Sequence, residues 1–237
     1  MTITTAATPA APSPSPRGTV IHARGATVKG ARGRVFGPID VTSDAPITIV
    51  HGNRGSGRTS LLLSLAGRMK IHAGTISVLG HDARTAASAT RHATGIAGFD
   101  AIDLLEATAR VDEAVRERLT WTSPWYRRVR HLHPDEVATL LTPVFGDVTQ
   151  PPAHALIREL SEAQDLLLRI SLALLERPAM VLVDDLDDVK DPTERAVVAD
   201  RITALTAGGL FFVVGSADER DINLFSPESR AIVTLDH

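Results

Sequence analysis

One stretch, ITIVHGNRGSGRTSLLLSLAGR at residues 47–68, constrains the fold of this chain more than any other. It runs from a short apolar segment through three glycines into leucines that recur at helical spacing, which predicts a strand, a tight loop and a helix. Residues 52–59, GNRGSGRT, fit the phosphate-loop pattern G-x-x-x-x-G-K-[ST] except at the lysine, where Arg58 stands. In such a loop, glycines let backbone N–H groups wrap a phosphate, and the dipole of the following helix adds positive charge there.

The loop supplies most of the candidate binding residues. Thr59 would offer its hydroxyl to Mg²⁺, and the cation of Arg58 would reach the outer phosphates of a nucleotide. The full set expected around the phosphates is Gly52, Asn53, Arg54, Gly55, Ser56, Gly57, Arg58, Thr59 and Ser60. Two other interpretations of the loop stay open: a glycine-rich turn that binds nothing, and a dinucleotide loop, because the glycine spacing also suits some G-x-x-x-G-x-G variants.

A second motif lies far along the chain, where four apolar residues lead into two carboxylates in MVLVDD, residues 180–185. Ligands bind an open parallel sheet at the carboxyl ends of its strands. Asp184 is therefore a candidate ligand of Mg²⁺, and Asp185 is a candidate to polarise an attacking water. An acidic pair by itself indicates a solvated turn, but the buried strand before it and the phosphate loop upstream favour a site.

The order of patterns along the chain predicts its organisation. Residues 1–18 are rich in Pro, Ser, Ala and Thr and predict a disordered tail. Residues 18–28 alternate like an edge strand, and residues 33–42 follow as a hairpin partner. Apolar strands then alternate with helices, which is typical of a mostly parallel sheet covered on both faces. Residues 99–164 interrupt this alternation with a mostly helical pattern, which indicates an inserted subdomain.

Composition excludes several classes of protein. The chain has 237 residues, 43% hydrophobic and 22% charged, as in an ordinary soluble globular protein, and its net charge of −3 gives no reason to expect a nucleic-acid partner. The absence of cysteine excludes disulfides and thiolate metal sites. No apolar run approaches the roughly 18 residues of a membrane span, and the first residues lack the pattern of a secretion signal. The nine histidines are scattered, so no zinc site is expected.

The region between the two motifs carries a family resemblance. LSEAQ at residues 160–164, a following helix and then LLERPAMVLVDDLDD resemble the signature helix and Walker B region of the ATP-binding-cassette (ABC) ATPases, which typically have LSGGQ at the first position. HAGTISVLGHD, after the first helix, is also similar to that family. The resemblance covers about residues 19–237, with the motifs in the family's order.

The resemblance implies an α/β fold: a P-loop NTPase (RecA-like) core with a mostly parallel sheet, an N-terminal antiparallel β-subdomain and an inserted α-helical subdomain. The core would comprise residues 19–98 and 165–237, and the helical subdomain about 99–164. ATP and Mg²⁺ would be the ligands, and Ser161 and Gln164 would contact the nucleotide bound by an opposite subunit. Partners would be a second ABC cassette, in a homodimer or heterodimer, and an integral membrane permease subunit. The chain would then be cytoplasmic, at the inner face of the cell membrane.

Several catalytic positions of the family pattern are changed in this chain. Arg58 replaces the lysine of the phosphate loop. Asp185 stands where the family has its catalytic glutamate and is one methylene shorter, which would misplace a water by about 1 Å and cost on the order of 10²-fold in rate. Ser216 stands at the switch histidine and cannot carry a positive charge. Phe99 or Asp100 occupies the place of the glutamine that normally touches Mg²⁺.

Two recognition elements are also changed. The signature glycines are replaced by Glu162 and Ala163, and a carboxylate there would repel a triphosphate. Val28, Lys29 and Gly30 offer no ring for adenine, a loss of about 1 kcal/mol of stacking. These changes predict a cassette that binds ATP–Mg²⁺ and hydrolyses it weakly or not at all. A divergent but active ATPase, a regulatory or structural pseudo-ATPase outside transport, and soluble ABC proteins of translation or DNA repair stay open as alternatives.

One further segment, LTWTSPWYRRVRHLH, places both tryptophans and the only tyrosine beside arginines. Aromatic residues and arginines together are favoured at protein interfaces, so this segment is a candidate contact of a membrane subunit. The alternative is that the rings fill the core of the helical insert and the arginines form its solvated rim. The residues concerned are Trp121, Trp125, Tyr126, Arg127, Arg128 and Arg130.

Overall fold

A computed structural model of the chain describes residues 19–31, 33–100, 102–124, 126 and 129–235. The tail expected at residues 1–18 lies outside the described part, as do Trp125, Arg127 and Arg128 of the aromatic segment.

The first sheet is antiparallel and carries the predicted hairpin. Strand β1 (Ile21–Gly30) pairs with β2 (Gly33–Ser43) on one side and with β4 (Ala73–Val78) on the other. Strand β5 (His81–Asp82) pairs with the free side of β4. The hairpin is therefore confirmed, but the expectation that its first strand lies at an edge is wrong. Alternation alone does not show that β4, about fifty residues away, covers the second side of β1.

The second sheet is parallel and places the two motifs side by side. Its strands are β3 (Ile47–His51), β6 (Thr94–Ala97), β7 (Met180–Val183), β8 (Phe211–Ser216) and β9 (Arg230–Thr234). Their order is β6-β7-β8-β3-β9, and every neighbouring pair runs parallel. The predicted α/β class with a mostly parallel sheet is confirmed. Strand β8 alone separates β3, which leads into the phosphate loop, from β7, which leads into the acidic pair.

The helices of the described residues are α1 (Arg58–Leu65), α2 (Ala87–Ala93), α3 (Val111–Thr122), α4 (Pro134–Phe145), α5 (Glu162–Leu174) and α6 (Pro192–Thr206). Helix α1 ends at Leu65. Gly67 adopts a left-handed conformation with φ of 65° just after the last helical turn, and glycine in this position stops a helix without strain.

Two apolar cores cover the two faces of the parallel sheet. Along β7, Met180 and Leu182 pack into one core with helix α1 and the antiparallel sheet, while Val181 and Val183 pack into the other with α5 and α6. These four side chains are fully buried, so the strand is apolar at every position rather than at every second one. Burial on both faces fixes the register of β7 and therefore the position of the acidic residues that follow it.

Residues 99–164 contain helices α3 and α4 joined by long loops, so this segment is less helical than its sequence pattern predicts. Val115 of α3 and Leu141 of α4 belong to the same apolar core as Leu167 of α5. The insert is therefore fixed against the helix that follows the signature sequence. In the part of the chain that the structure describes, no helix combines the length and apolar character needed to cross a membrane.

Candidate functional site

The glycine loop between β3 and α1 has a conformation that its glycines permit. Gly55 and Gly57 have φ of 87° and 88°, in the left-handed region that favours glycine. A Cβ atom at Gly57 would lie 2.5 Å from the carbonyl oxygen of Val35, so only glycine allows the loop to pack this closely on β2. The first N–H groups of α1, which follows the loop directly, have no partners within the helix.

Two buried polar atoms of the loop lack hydrogen-bond partners among the described residues. They are the Oγ of Ser56 and the Nε of Arg58, and these residues are 4% and 5% exposed. Burying a polar group without a partner is costly, so such atoms are normally paired with a ligand or water. Together with the glycine conformation, they fit a loop that receives an anionic group.

Thr59 and Asp184 lie next to each other, although they are far apart in the sequence. Asp184 directly follows β7, is 2% exposed and donates its backbone N–H to the carbonyl of Ala97 at 3.0 Å. Burial raises the pKa of Asp184 to about 6, while the Thr59 hydroxyl and the Arg58 guanidinium oppose that rise. The parallel sheet thus brings together the two residues that the sequence predicts as metal ligands.

The side chain of Arg58 points from the loop into a group of carboxylates. One terminal nitrogen donates to the carbonyl oxygen of Gly52 at 2.7 Å, and the other pairs with Asp185. The Nε lies 3.6 Å from Asp184 Oδ1, and the nitrogen that pairs with Asp185 lies 3.7 Å from Asp187 Oδ1. The guanidinium is therefore the counter-charge of three acidic side chains that follow β7.

Sequence reasoning missed two residues of this cluster. Asp187 belongs to the acidic run DDLDD, which was a usable signal, but its spacing alone does not show that it turns back toward the loop. Gly215 interrupts the apolar run of β8, and a Cβ atom there would lie 2.8 Å from Asp184 Oδ1 and 3.2 Å from the Cδ of Arg58. The absence of a side chain at Gly215 makes room for the buried ion pair.

Asp185, predicted to polarise a water, pairs with Arg58 in this structure. Its φ of 46° places a non-glycine residue in the left-handed region, which is costly and therefore held by the surrounding contacts. Its carboxylate pairs with Arg58, and burial raises its pKa above the ordinary range. The structure thus shows the carboxylate as a partner of the arginine, and its role toward a water molecule stays a prediction.

Ser216, predicted at the switch position, is committed to a buried network. Its Oγ donates to Asp221 Oδ2 at 2.5 Å and accepts the N–H of Asp218 at 3.0 Å. Asp221 in turn accepts from Arg195 at 2.8 Å. The carbonyl of Ser216 lies 3.4 Å from the backbone nitrogen of Gly52, so the residue reaches the loop through its backbone only.

The signature residues are used within their own helix terminus. Ser161 Oγ accepts the N–H of Gln164 at 3.3 Å, and Gln164 Oε1 accepts the N–H of Ser161 at 3.2 Å, a reciprocal capping box at the start of α5. The N–H of Ala163 donates to Glu194 Oε2 of α6 at 3.0 Å. An internal carboxylate therefore occupies the N-terminus of α5, the feature that would otherwise attract an opposite phosphate.

The signature residues and the acidic pair after β7 nevertheless line the same cleft. Ser161 and Glu162 line it together with Asp184, Asp185 and other residues, and its volume is about 340 Å³. Most charged residues of its lining are acidic, and Arg158 and Arg169 are the basic ones. In the expected place of the Mg²⁺-contacting glutamine, Asp100 lines this cleft, whereas Phe99 is 2% exposed and packs in the core.

The chemistry of these residues fits a phosphate but not a divalent cation. The guanidinium of Arg58 already provides the positive charge beside Asp184, so the Mg²⁺ role expected of Thr59 and Asp184 does not fit the arrangement. The loop offers the buried Ser56 hydroxyl, which has no hydrogen-bond partner among the described residues, and the start of a helix.

At Trp121 the aromatic segment does not fill the core of the insert. This side chain is 68% exposed, and the guanidinium of Arg118 lies 5.5 Å from the centre of its ring. Beside it runs a groove of about 800 Å³ lined by Leu104, Leu105 and other residues of the insert. Trp121 is therefore a surface residue.

A phosphate loop and an acidic strand end that meet at the carboxyl edge of a parallel sheet define a P-loop NTPase. Residues 42–187, more than half of the chain, match the family model described as ABC transporter. The chain therefore belongs to the ABC transporter family, and it is an ATP-binding cassette of that family.

Comparison with individual proteins agrees with this assignment. A putative ABC transporter ATP-binding protein of Streptomyces coelicolor is 28% identical over 232 residues, which cover 96% of this chain but only 37% of that protein. The ADP conformation of MJ1267, an ATP-binding cassette of an ABC transporter, matches with a TM-score of 0.72 at 16% identity and covers 92% of this chain and 87% of its own. The dimeric post-hydrolysis structure of the cassette MJ0796 bound to ADP and Pi matches with a TM-score of 0.69 at 15% identity, covering 91% and 94%. At these identities the two solved structures support the fold alone.

Proposed function

We propose that this chain is a cassette that binds ATP at its phosphate loop, pairs with a second cassette, and drives or regulates a membrane transporter with weak or absent hydrolysis. The observation that carries this proposal is the engagement of the catalytic positions: Asp185 pairs with Arg58, and Ser216 donates to Asp221. The loop itself keeps its glycines, the buried Ser56 hydroxyl and the start of α1. We therefore expect ATP binding without rapid hydrolysis.

The residues of the binding site have distinct proposed roles. The N–H groups around Ser56 and at the start of α1 surround the phosphates, Arg58 neutralises part of their charge, and Thr59 and Ser60 offer hydroxyls from the first turn. Mg²⁺ is left out of these roles because the guanidinium of Arg58 provides the charge beside Asp184.

The two asparagines of the chain allow a matched test of nucleotide binding. Asn53 lies exposed in the loop and Asn223 lies exposed outside it. Asn53→Asp adds one negative charge near the phosphates without a change of size, and we expect it to weaken ATP binding about tenfold in calorimetry. Asn223→Asp should leave the affinity unchanged. Equal affinities of the two variants would place the nucleotide elsewhere.

Pairing and transport rest on family membership and on the exposed aromatic surface. Members of the ABC transporter family work as dimers with membrane subunits, and the groove beside Trp121 is a surface on which such a subunit can dock. Because Trp121 is mostly exposed, Trp121→Ala should leave folding intact and reduce recovery of the chain with membranes. Recovery that does not depend on Trp121 would exclude this groove as the docking surface.

A regulatory pseudo-ATPase outside transport is the second candidate function. The capped signature helix favours it, because Glu194 holds the N–H of Ala163 that a partner's phosphate would otherwise approach. Co-purification from membranes separates the two candidates. If an integral membrane protein co-purifies with the chain, the result supports transport. If none co-purifies, the result supports regulation.

A further inference from the structure

The position of Arg58 bears on the form of nucleotide that this site accepts, and the inference rests on the proposed function. The side chain is 5% exposed and lies among Asp184, Asp185 and Asp187. A fourth acidic residue nearby, Asp188, pairs instead with Arg54 at 3.0 Å and with Lys190 at 3.0 Å. The guanidinium is thus the buried positive charge shared by the three carboxylates that face the loop.

A divalent cation would compete with this guanidinium for the same oxygens. Mg²⁺ requires oxygen ligands at about 2.0–2.1 Å in octahedral geometry and is usually held by one or two carboxylates together with phosphates. Asp184 Oδ1 already accepts the backbone N–H of Asp185 at 3.1 Å and faces the Nε of Arg58. A metal on Asp184 would bring two like charges within a few ångströms in a poorly solvated place.

The geometry of arginine suits this position. Its planar fork donates from one nitrogen to the Gly52 carbonyl and from another to Asp185, whereas lysine carries one nitrogen on a flexible stem. The Nε is buried, faces Asp184 Oδ1 at 3.6 Å and has no hydrogen-bond partner among the described residues. A buried cation in the same segment as the Ser56 hydroxyl, which also lacks a hydrogen-bond partner, is suited to a phosphate oxygen.

We propose that Arg58 takes the place of the divalent cation in this cassette, so that the loop binds a nucleoside di- or triphosphate in its metal-free form. The guanidinium bridges the acidic residues after β7 and the phosphates, which is the electrostatic task that a metal ion performs in a phosphate site. The glycine loop and the start of α1 then complete the site without further ligands.

The test is a calorimetric titration of the full chain with ATP in excess MgCl₂ and in excess EDTA. We expect the wild-type affinities in the two buffers to agree within about threefold. Arg58→Lys, which restores a compact charge, should bind ATP at least about tenfold more weakly in EDTA than in MgCl₂. Arg84→Lys, an exposed arginine outside the site, serves as the control and should keep the wild-type behaviour.

The outcomes separate the inference from the function on which it rests. A wild-type affinity that falls by more than about threefold in EDTA overturns the metal-free proposal and leaves ATP binding intact. No binding in either buffer overturns the proposed function, and this inference with it. If Arg58→Lys does not fold, the two wild-type titrations decide the question alone. In addition, the melting temperature of the nucleotide-free wild type should be no higher in MgCl₂ than in EDTA.

Discussion

Replacement of Asp184 by asparagine tests the electrostatics of the buried cluster. Asparagine keeps the size of the side chain and an Oδ1 acceptor for the N–H of Asp185, so the substitution removes mainly the charge. Asp184 is 2% exposed, and its burial raises its pKa from 3.8 to about 6. This difference corresponds to about 3 kcal/mol by which the ionised carboxylate destabilises the folded state.

The sign of this effect fixes the pH window. Below about pH 4 the carboxyl group of Asp184 is protonated in both the folded and the unfolded chain, so its titration costs the folded state nothing. Between about pH 4 and pH 6 the unfolded chain releases the proton and the folded chain keeps it, so wild-type stability falls as the pH rises. Above about pH 6, Asp184 is ionised in the folded chain as well, and the full destabilisation of about 3 kcal/mol is present.

Urea unfolding of the wild type and of Asp184→Asn at several pH values, followed by circular dichroism, measures this cost. We expect Asp184→Asn to be more stable than the wild type by up to about 3 kcal/mol above pH 6, with the difference shrinking toward pH 4. A variant that is less stable than the wild type at pH 7 would refute this reasoning, because the ion pair with Arg58 would then outweigh the cost of burial.

Two further substitutions test the contacts of the other predicted site residues. Ser216→Ala removes the hydrogen bond to Asp221, so the free energy of unfolding measured in urea should fall by about 1–3 kcal/mol. The affinity for ATP should stay unchanged. A variant of wild-type stability with altered ATP affinity would contradict the role of Ser216 in the buried network. Glu194→Gln removes the charge that accepts from Ala163 at the start of α5, so stability should fall by about 0.5–1 kcal/mol, and no change in unfolding would show that this contact contributes nothing.

Much of the fold follows from local patterns in the sequence. The apolar run before Asp184 predicts a buried strand because its side chains are apolar at every position, and the structure buries them on both faces. The glycines at 55 and 57 predict a tight loop between strand and helix, and both residues adopt left-handed backbone there. Such features depend on residues close together in the chain, which is why the sequence is enough to predict them.

The partners of the site residues could not be predicted in the same way. The sequence shows that Arg58 carries a charge and is long enough to reach a phosphate, but its direction depends on Asp187 and on the missing side chain at Gly215. Likewise, the spacing of the signature residues does not reveal that Glu194 from another helix caps them. These contacts join distant segments, and only the packing of the sheet and helices determines them.

Measuring ATP binding and phosphate release on one preparation of the chain tests most directly whether the loop holds nucleotide while Asp185 and Ser216 are engaged elsewhere. We predict saturable ATP binding by calorimetry together with phosphate release no faster than that of Asp185→Asn. Rapid phosphate release that Asp185→Asn abolishes would contradict this, because it would show that the carboxylate leaves Arg58 and acts on water.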